Sequence, residues 1–169
     1  MRYSNTVKST LSAAVLGFLA LSLASTSANA QADPATTTFG VSATVLKDCI
    51  VSATALAFGN YTGAVNNSTS TVTVTCTSTT TYTVGLSAGL ASGATVTTRQ
   101  MQNGTYLLPY ALYSNSGMTT NWGNTSVTNW VSGTGNGAAQ PLTVYGQIAA
   151  GLYVTPGSYT DTITATVTY

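Results

Sequence analysis

The side chains able to do chemistry are few and far apart. Past residue 30 the charged groups are Asp33, Lys47, Asp48, Arg99 and Asp161, and the 169-residue chain has no histidine. General acid–base catalysis would rest on three scattered aspartates or on tyrosines, and a Ser-His-Asp or Cys-His set cannot be assembled. Two cysteines and those aspartates do not supply a zinc or calcium ligand set. Lys47 and Arg99 are too few to neutralise a run of phosphates, which argues against a nucleic-acid partner. The sequence is therefore read as that of a non-enzyme, with no cofactor and no metal.

What remains is the pair Cys49 and Cys76. Residues 1–30 have the layout of an export signal: Arg2 and Lys8 first, an apolar stretch from Leu11 to Leu23, then the small-residue site Ala28-Asn29-Ala30. The mature chain is expected to begin near Gln31 and to be secreted. No later stretch reaches the roughly 18–20 apolar residues of a membrane span. Export leads to an oxidising compartment, so the cysteines are expected to form a Cys49–Cys76 disulfide. Closing a loop of roughly 28 residues stabilises by about 3.6 kcal/mol in the chain-entropy description. A redox role would call for C-x-x-C, which is absent.

The elements that would carry these residues are strands. Threonine is the commonest residue and is interleaved with Val, Ala, Ile and Tyr, a β-branched alternation that favours extended structure. The pattern predicts strands over Ile50–Phe58, Thr69–Cys76 and Tyr82–Leu86, with turn-rich chain between the first two. Asn103-Gly104 predicts a type I′ hairpin between 97–102 and 105–113, and Pro109 predicts an edge or a bulge. Residues 114–139, rich in Asn, Gly, Ser and Thr around Trp122 and Trp130, read as a long loop. Strands resume over Gln140–Ile148 and Ser158–Tyr169. In the last, Tyr159, Ile163, Ala165, Val167 and Tyr169 share one face with Asp161, which is expected to be solvated or hydrogen-bonded at the sheet end. Six to seven short strands with turns between them predict an immunoglobulin-like sandwich.

One strand has no place in that count. From Thr37 to Val45 the chain puts Phe39, Val41, Ala43 and Val45 on one face and Thr38, Gly40, Ser42 and Thr44 on the other. An isolated strand is not stable in water. It must close its own domain or complete another molecule's, and the residues alone allow both. At the other end the last strand runs to Tyr169, which leaves its outer edge uncovered, an aggregation hazard unless something pairs with it. With only 4% charged residues, association is weakly opposed.

The export signal, the alternating arm ending at Cys49, Phe58-Gly59, Cys76 within a Thr/Val strand, Tyr145-Gly146-Gln147-Ile148 and Pro156 to Tyr169 together resemble the spore coat protein U-like pilin subunits of the archaic chaperone-usher pathway. The resemblance covers nearly the whole mature chain, and its most specific part is Pro156 to Tyr169. It implies an all-β, incomplete immunoglobulin-like β-sandwich lacking its last strand, with an N-terminal donor-strand extension. The domains are then 1–30 signal peptide, 31–48 donor arm and 49–169 pilin domain. It also implies the partners: a periplasmic chaperone, an outer-membrane usher and other pilus subunits, with export through the periplasm to a surface fibre for adhesion and biofilm formation. By the same resemblance Phe39, Val41, Ala43 and Val45 are the inserted side chains. Ile163, Ala165, Val167 and Tyr169 border the groove and the chaperone edge, and the Cys49–Cys76 bridge belongs to the core. Gly40 is out of phase with Phe39, unlike the small in-phase residue of many pilin arms, so which side chain fills each pocket stays open.

Other classes fit some residues. A secreted carbohydrate-binding or adhesin-type β-sandwich would use Trp122, Trp130 and the tyrosines as stacking surfaces, and a spore coat structural protein is the other alternative. Asn67-Ser68-Thr69 and Asn103-Gly104-Thr105 match a glycosylation pattern, which chance provides in so Thr-, Ser- and Asn-rich a chain.

Overall fold

The computed structural model describes residues 33–124 and 129–169; the export signal expected over 1–30 lies outside them. The chain divides into one unit up to Ser42 and a second from Ala43 to Tyr169. In the first, residues 33–42 are exposed and carry neither strand nor helix. The second consists of strands β1 (Cys49–Ala53), β2 (Asn66–Cys76), β3 (Thr81–Leu86), β4 (Arg99–Asn103), β5 (Tyr106–Tyr113), β6 (Val131–Thr134), β7 (Gln140–Ile148) and β8 (Ala165–Thr168). They form a five-stranded sheet, β1-β2-β7-β5-β4, and a three-stranded sheet, β6-β3-β8, antiparallel throughout. No helix among the described residues is long and apolar enough to cross a membrane.

Period-two alternation builds the core. Val72, Val74 and Cys76 of β2, Tyr82, Val84 and Leu86 of β3, Leu108, Tyr110 and Leu112 of β5, and Val144 and Ile148 of β7 are buried between the sheets. The intervening threonines of β2 and β7 face outward. Each buried large apolar group contributes about 1.5–3 kcal/mol. The disulfide joins Cys49 to Cys76 at a directly opposed register position, tying the start of β1 to the end of β2.

Four sequence expectations are corrected. Residues 114–139 are not one loop, because β6 lies within them and pairs with β3. The strand was hidden by Gly133, above which the Tyr82 ring sits so closely that a Cβ would come 2.5 Å from its Cζ. Trp122, also in that stretch, is 1% exposed and donates its indole N–H to Val84 O at 2.9 Å. The hairpin turn is centred on Gly104-Thr105, since Asn103 pairs with Tyr106. Only Gly104 has positive φ (60°), so the turn is of the kind that takes glycine first. β5 is an interior strand, yet it pairs with β7 only over Ala111–Tyr113, so Pro109 occupies a local edge and its missing N–H breaks no ladder there.

The other two corrections concern the first and last strands, both shorter as ladders than their alternation predicts. β1 ends at Ala53, and past Thr54 the side chains of β2 replace its backbone as partner. Ser70 Oγ donates to Thr54 O, Ser68 Oγ to Ala57 O at 2.7 Å, and Asn66 Nδ2 to Phe58 O at 2.9 Å. Thr54 N still donates to Thr71 O at 3.0 Å, and the residues after it are held one side-chain length from β2. At the other end β8 is a ladder only over Ala165–Thr168. Before it, Thr160 exchanges two backbone hydrogen bonds with Gln102 of β4 (2.8 and 3.0 Å). The last segment therefore starts against one sheet and ends in the other.

Candidate interaction groove

The final segment keeps its alternation, but its inward face is not sealed. Tyr159, Ile163, Ala165 and Val167 pack against the core while remaining only half-buried. β8 is the edge of its sheet and β1 the edge of the other. The two ends meet where Tyr169, itself exposed, donates its hydroxyl to Asp48 Oδ1 at 3.4 Å. Leu56, Phe58, Met101, Leu152 and Val154 are likewise partly buried against the core. With Tyr159 they line an open cavity of about 1020 Å³ at the far end of the segment. Around this seam lie two unpaired backbone edges and a band of half-covered apolar side chains, the shape left when a sandwich lacks one strand.

Local packing explains why the cavity has this wall. Leu56 and Phe58 lean across Gly146 of β7, where a Cβ would stand 2.8 Å from Leu56 Cδ1 and 2.9 Å from Phe58 Cζ. Phe58 also meets Tyr110 edge-on, with ring centroids 6.1 Å apart. Tyr61 O–H donates to Ala149 O at 2.6 Å and accepts from Leu152 N at 3.1 Å, fixing the cavity floor.

A polar cluster braces the groove. Asp161, inward-facing as its phase predicts, accepts from Tyr110 O–H (2.7 Å), Leu90 N (2.8 Å) and Thr162 N (2.7 Å). Arg99 is 0% exposed. Its guanidinium donates to Ser87 O (2.8 Å), Val96 O (2.8 Å), Leu86 O (2.9 Å) and Trp122 O (2.7 Å). Burial pushes its pKa down to about 10, with nearby Tyr110 and Asp161 pulling the other way. Tyr110 is held well above the ordinary tyrosine range, first by burial and then by its bond to Asp161. The cluster's hydrogen bonds run mostly to backbone atoms of separate segments, and the arrangement positions chain.

Sequence reasoning singled out the border residues Ile163, Ala165, Val167 and Tyr169, and the structure brings the first three to the seam as half-buried groups. Phe39, Val41 and Val45 are 85%, 84% and 84% exposed, and Ala43 is exposed as well. The reading missed Leu56, Met101, Leu152 and Val154 as cavity lining. Their signal was present in the period-two pairs Leu56/Phe58 and Leu152/Val154. It also missed Arg99, whose burial only the fold reveals. The buried Trp122 cannot serve as a stacking surface.

Fold and groove define an all-β, immunoglobulin-like sandwich that is one strand incomplete and bears an N-terminal extension. Residues 35–166 match the Spore Coat Protein U domain, and the chain belongs to that family. It is 39% identical over 87 residues to "Protein U" of Myxococcus xanthus, a match covering 50% of this chain and 48% of that protein. It is also similar in structure to a chain in the crystal structure of the CsuC-CsuE chaperone-tip adhesion subunit pre-assembly complex from archaic chaperone-usher Csu pili of Acinetobacter baumannii. That match has a TM-score of 0.57 and 26% identity, and covers 75% of this chain and 40% of the other. The chain thus spans about half, or less, of the length of these relatives.

Proposed function

We propose that this chain is a structural pilus subunit that polymerises by donor-strand exchange. Residues 31–48 act as the donor arm, and residues 49–169 form the domain that receives another subunit's arm. Phe39, Val41, Ala43 and Val45 enter the groove of a neighbouring subunit beside Ile163, Ala165 and Val167. Before assembly a periplasmic chaperone lends a strand to the same groove, and an outer-membrane usher directs the exchange. The fibre is carried to the cell surface, where it serves adhesion and biofilm formation. The observation that carries this reading is the half-buried inward face of residues 159–167 beside two unpaired edges. An added strand would satisfy the orphaned backbone groups and cover the apolar band. Because donor and acceptor surfaces differ, the exchange does not close on itself and yields a fibre. The structural likeness to a subunit of a chaperone-usher pilus supports the same reading.

The test is Phe39→Asp or Val41→Asp. A carboxylate carried into an apolar groove without a partner costs several kcal/mol, so either variant is expected to copurify with its chaperone and to form no fibres by electron microscopy. Normal fibres from both would refute the donor role. A coat-building role is the second reading, favoured by the description of the family, the Spore Coat Protein U domain; it requires the chain in an assembled layer with no fibre.

A further inference from the structure

The sequence holds two Asn-Gly dipeptides, Asn103-Gly104 and Asn136-Gly137. Asparagine cyclises most readily before glycine, because no side chain hinders approach of the following nitrogen. As sequence the two sites are equivalent, and the fold makes them unequal. At the second, both reacting groups are engaged: Gly137 N donates to Cys76 O at 3.1 Å, and Asn136 Oδ1 accepts from Ala138 N at 2.9 Å. At the first, among the described residues, Gly104 N donates to no group and the Asn103 carboxamide makes no hydrogen bond. That carboxamide rests against Gly157 through its Nδ2, in contact only.

We propose that Asn103 is a site of spontaneous deamidation in the folded chain and that Asn136 is protected from it. Gly104 N attacks Asn103 Cγ, forming a C–N bond. The side-chain nitrogen leaves as ammonia, taking the proton that Gly104 N gives up. Water then adds to either carbonyl of the resulting succinimide and cleaves one C–N bond, giving aspartate or isoaspartate. No oxidant, reductant or enzyme takes part. The product places a carboxylate beside Gly157, on the wall of the cavity, one residue from the Gln102–Thr160 pairing that ties the last segment to β4. The isoaspartyl form also lengthens the backbone by one carbon within the Asn103–Tyr106 pair. The modification therefore marks the age of a chain at the groove, whatever the groove receives.

The test incubates the full folded chain in mildly alkaline buffer. Both sites are followed by chymotryptic peptide mass spectrometry, with isoaspartate detected by enzymatic methyl labelling. Asn103 is expected to convert roughly tenfold faster than Asn136, the effect of one backbone hydrogen bond that must first be broken. In denaturant the two rates are expected to converge, and Gly104→Ala is expected to slow Asn103 alone. Equal or reversed rates in the folded chain would overturn the proposal, and so would a rate ratio that persists in denaturant.

Discussion

Replacing Arg99 by methionine tests whether the buried guanidinium holds the groove's bracing together. Methionine fills most of the volume and donates to none of the four carbonyls, at Ser87, Val96, Leu86 and Trp122. A hydrogen bond from a charged donor contributes about 1.5–3 kcal/mol, so four set an upper bound of roughly 6–12 kcal/mol. Release of a cation that burial disfavours offsets part of this, leaving an expected loss of about 3–5 kcal/mol, the range for breaking a buried charged network. Against a domain stability of roughly 5–15 kcal/mol, that is a large fraction. Trp122 supplies the assay, since its own carbonyl is one of the four acceptors and its indole is buried. Followed by tryptophan fluorescence, the urea midpoint is expected to fall by about 2 M at a slope of roughly 1–3 kcal/mol/M. Arg99→Lys, with a compact ammonium in place of the planar fork, is expected to fall between. A methionine variant with the wild-type midpoint would refute the reasoning.

Three other outcomes are expected. Tyr110, held protonated in the fold well above the pH at which an unfolded tyrosine ionises near 10, contributes stability that is complete below about pH 10 and is lost as pH rises beyond it. Tyr110→Phe is expected to flatten that alkaline fall in unfolding midpoints; an unchanged slope would reject the assignment. Gly146→Val is expected to displace Leu56 and Phe58 from the cavity wall and to destabilise by about 1–3 kcal/mol, with near-ultraviolet circular dichroism showing the altered aromatic environment. Cys76→Ser removes the link between β1 and β2 and is expected to lower stability by about 3.6 kcal/mol and reduce yield in an oxidising compartment; equal yield and midpoint would contradict it.

Where one rule governed a stretch of chain, the residues revealed the outcome in advance. Val72, Val74 and Cys76 alternate without interruption, as do Ile163, Ala165 and Val167, and the fold turns them inward. Where two rules competed, the sequence was mute. The ladder past Ala53 fails because Ser70, Ser68 and Asn66, on a distant stretch, offer side-chain partners that a local reading cannot foresee. β6 escaped notice because Gly133 yields its place to Tyr82 and lowers the strand signal. Arg99 carried no local sign of burial, because an arginine is usually exposed, and only the convergence of four carbonyls from three segments, Leu86-Ser87, Val96 and Trp122, explains it. The seam itself was inferred from a resemblance, while the residues lining its wide end came from the structure.

The burial of Arg99 and the triple engagement of Asp161 have one more effect. Among the described residues no exposed side chain from Cys49 to Tyr169 bears a formal charge, and Asp33, Lys47 and Asp48 all precede it. From Cys49 onward the exterior is a skin of hydroxyls, amides and scattered apolar groups such as Ile50, Leu90 and Tyr153. Ionic strength has little to screen there. Contacts made through that skin are expected to hold alike in fresh water and brine.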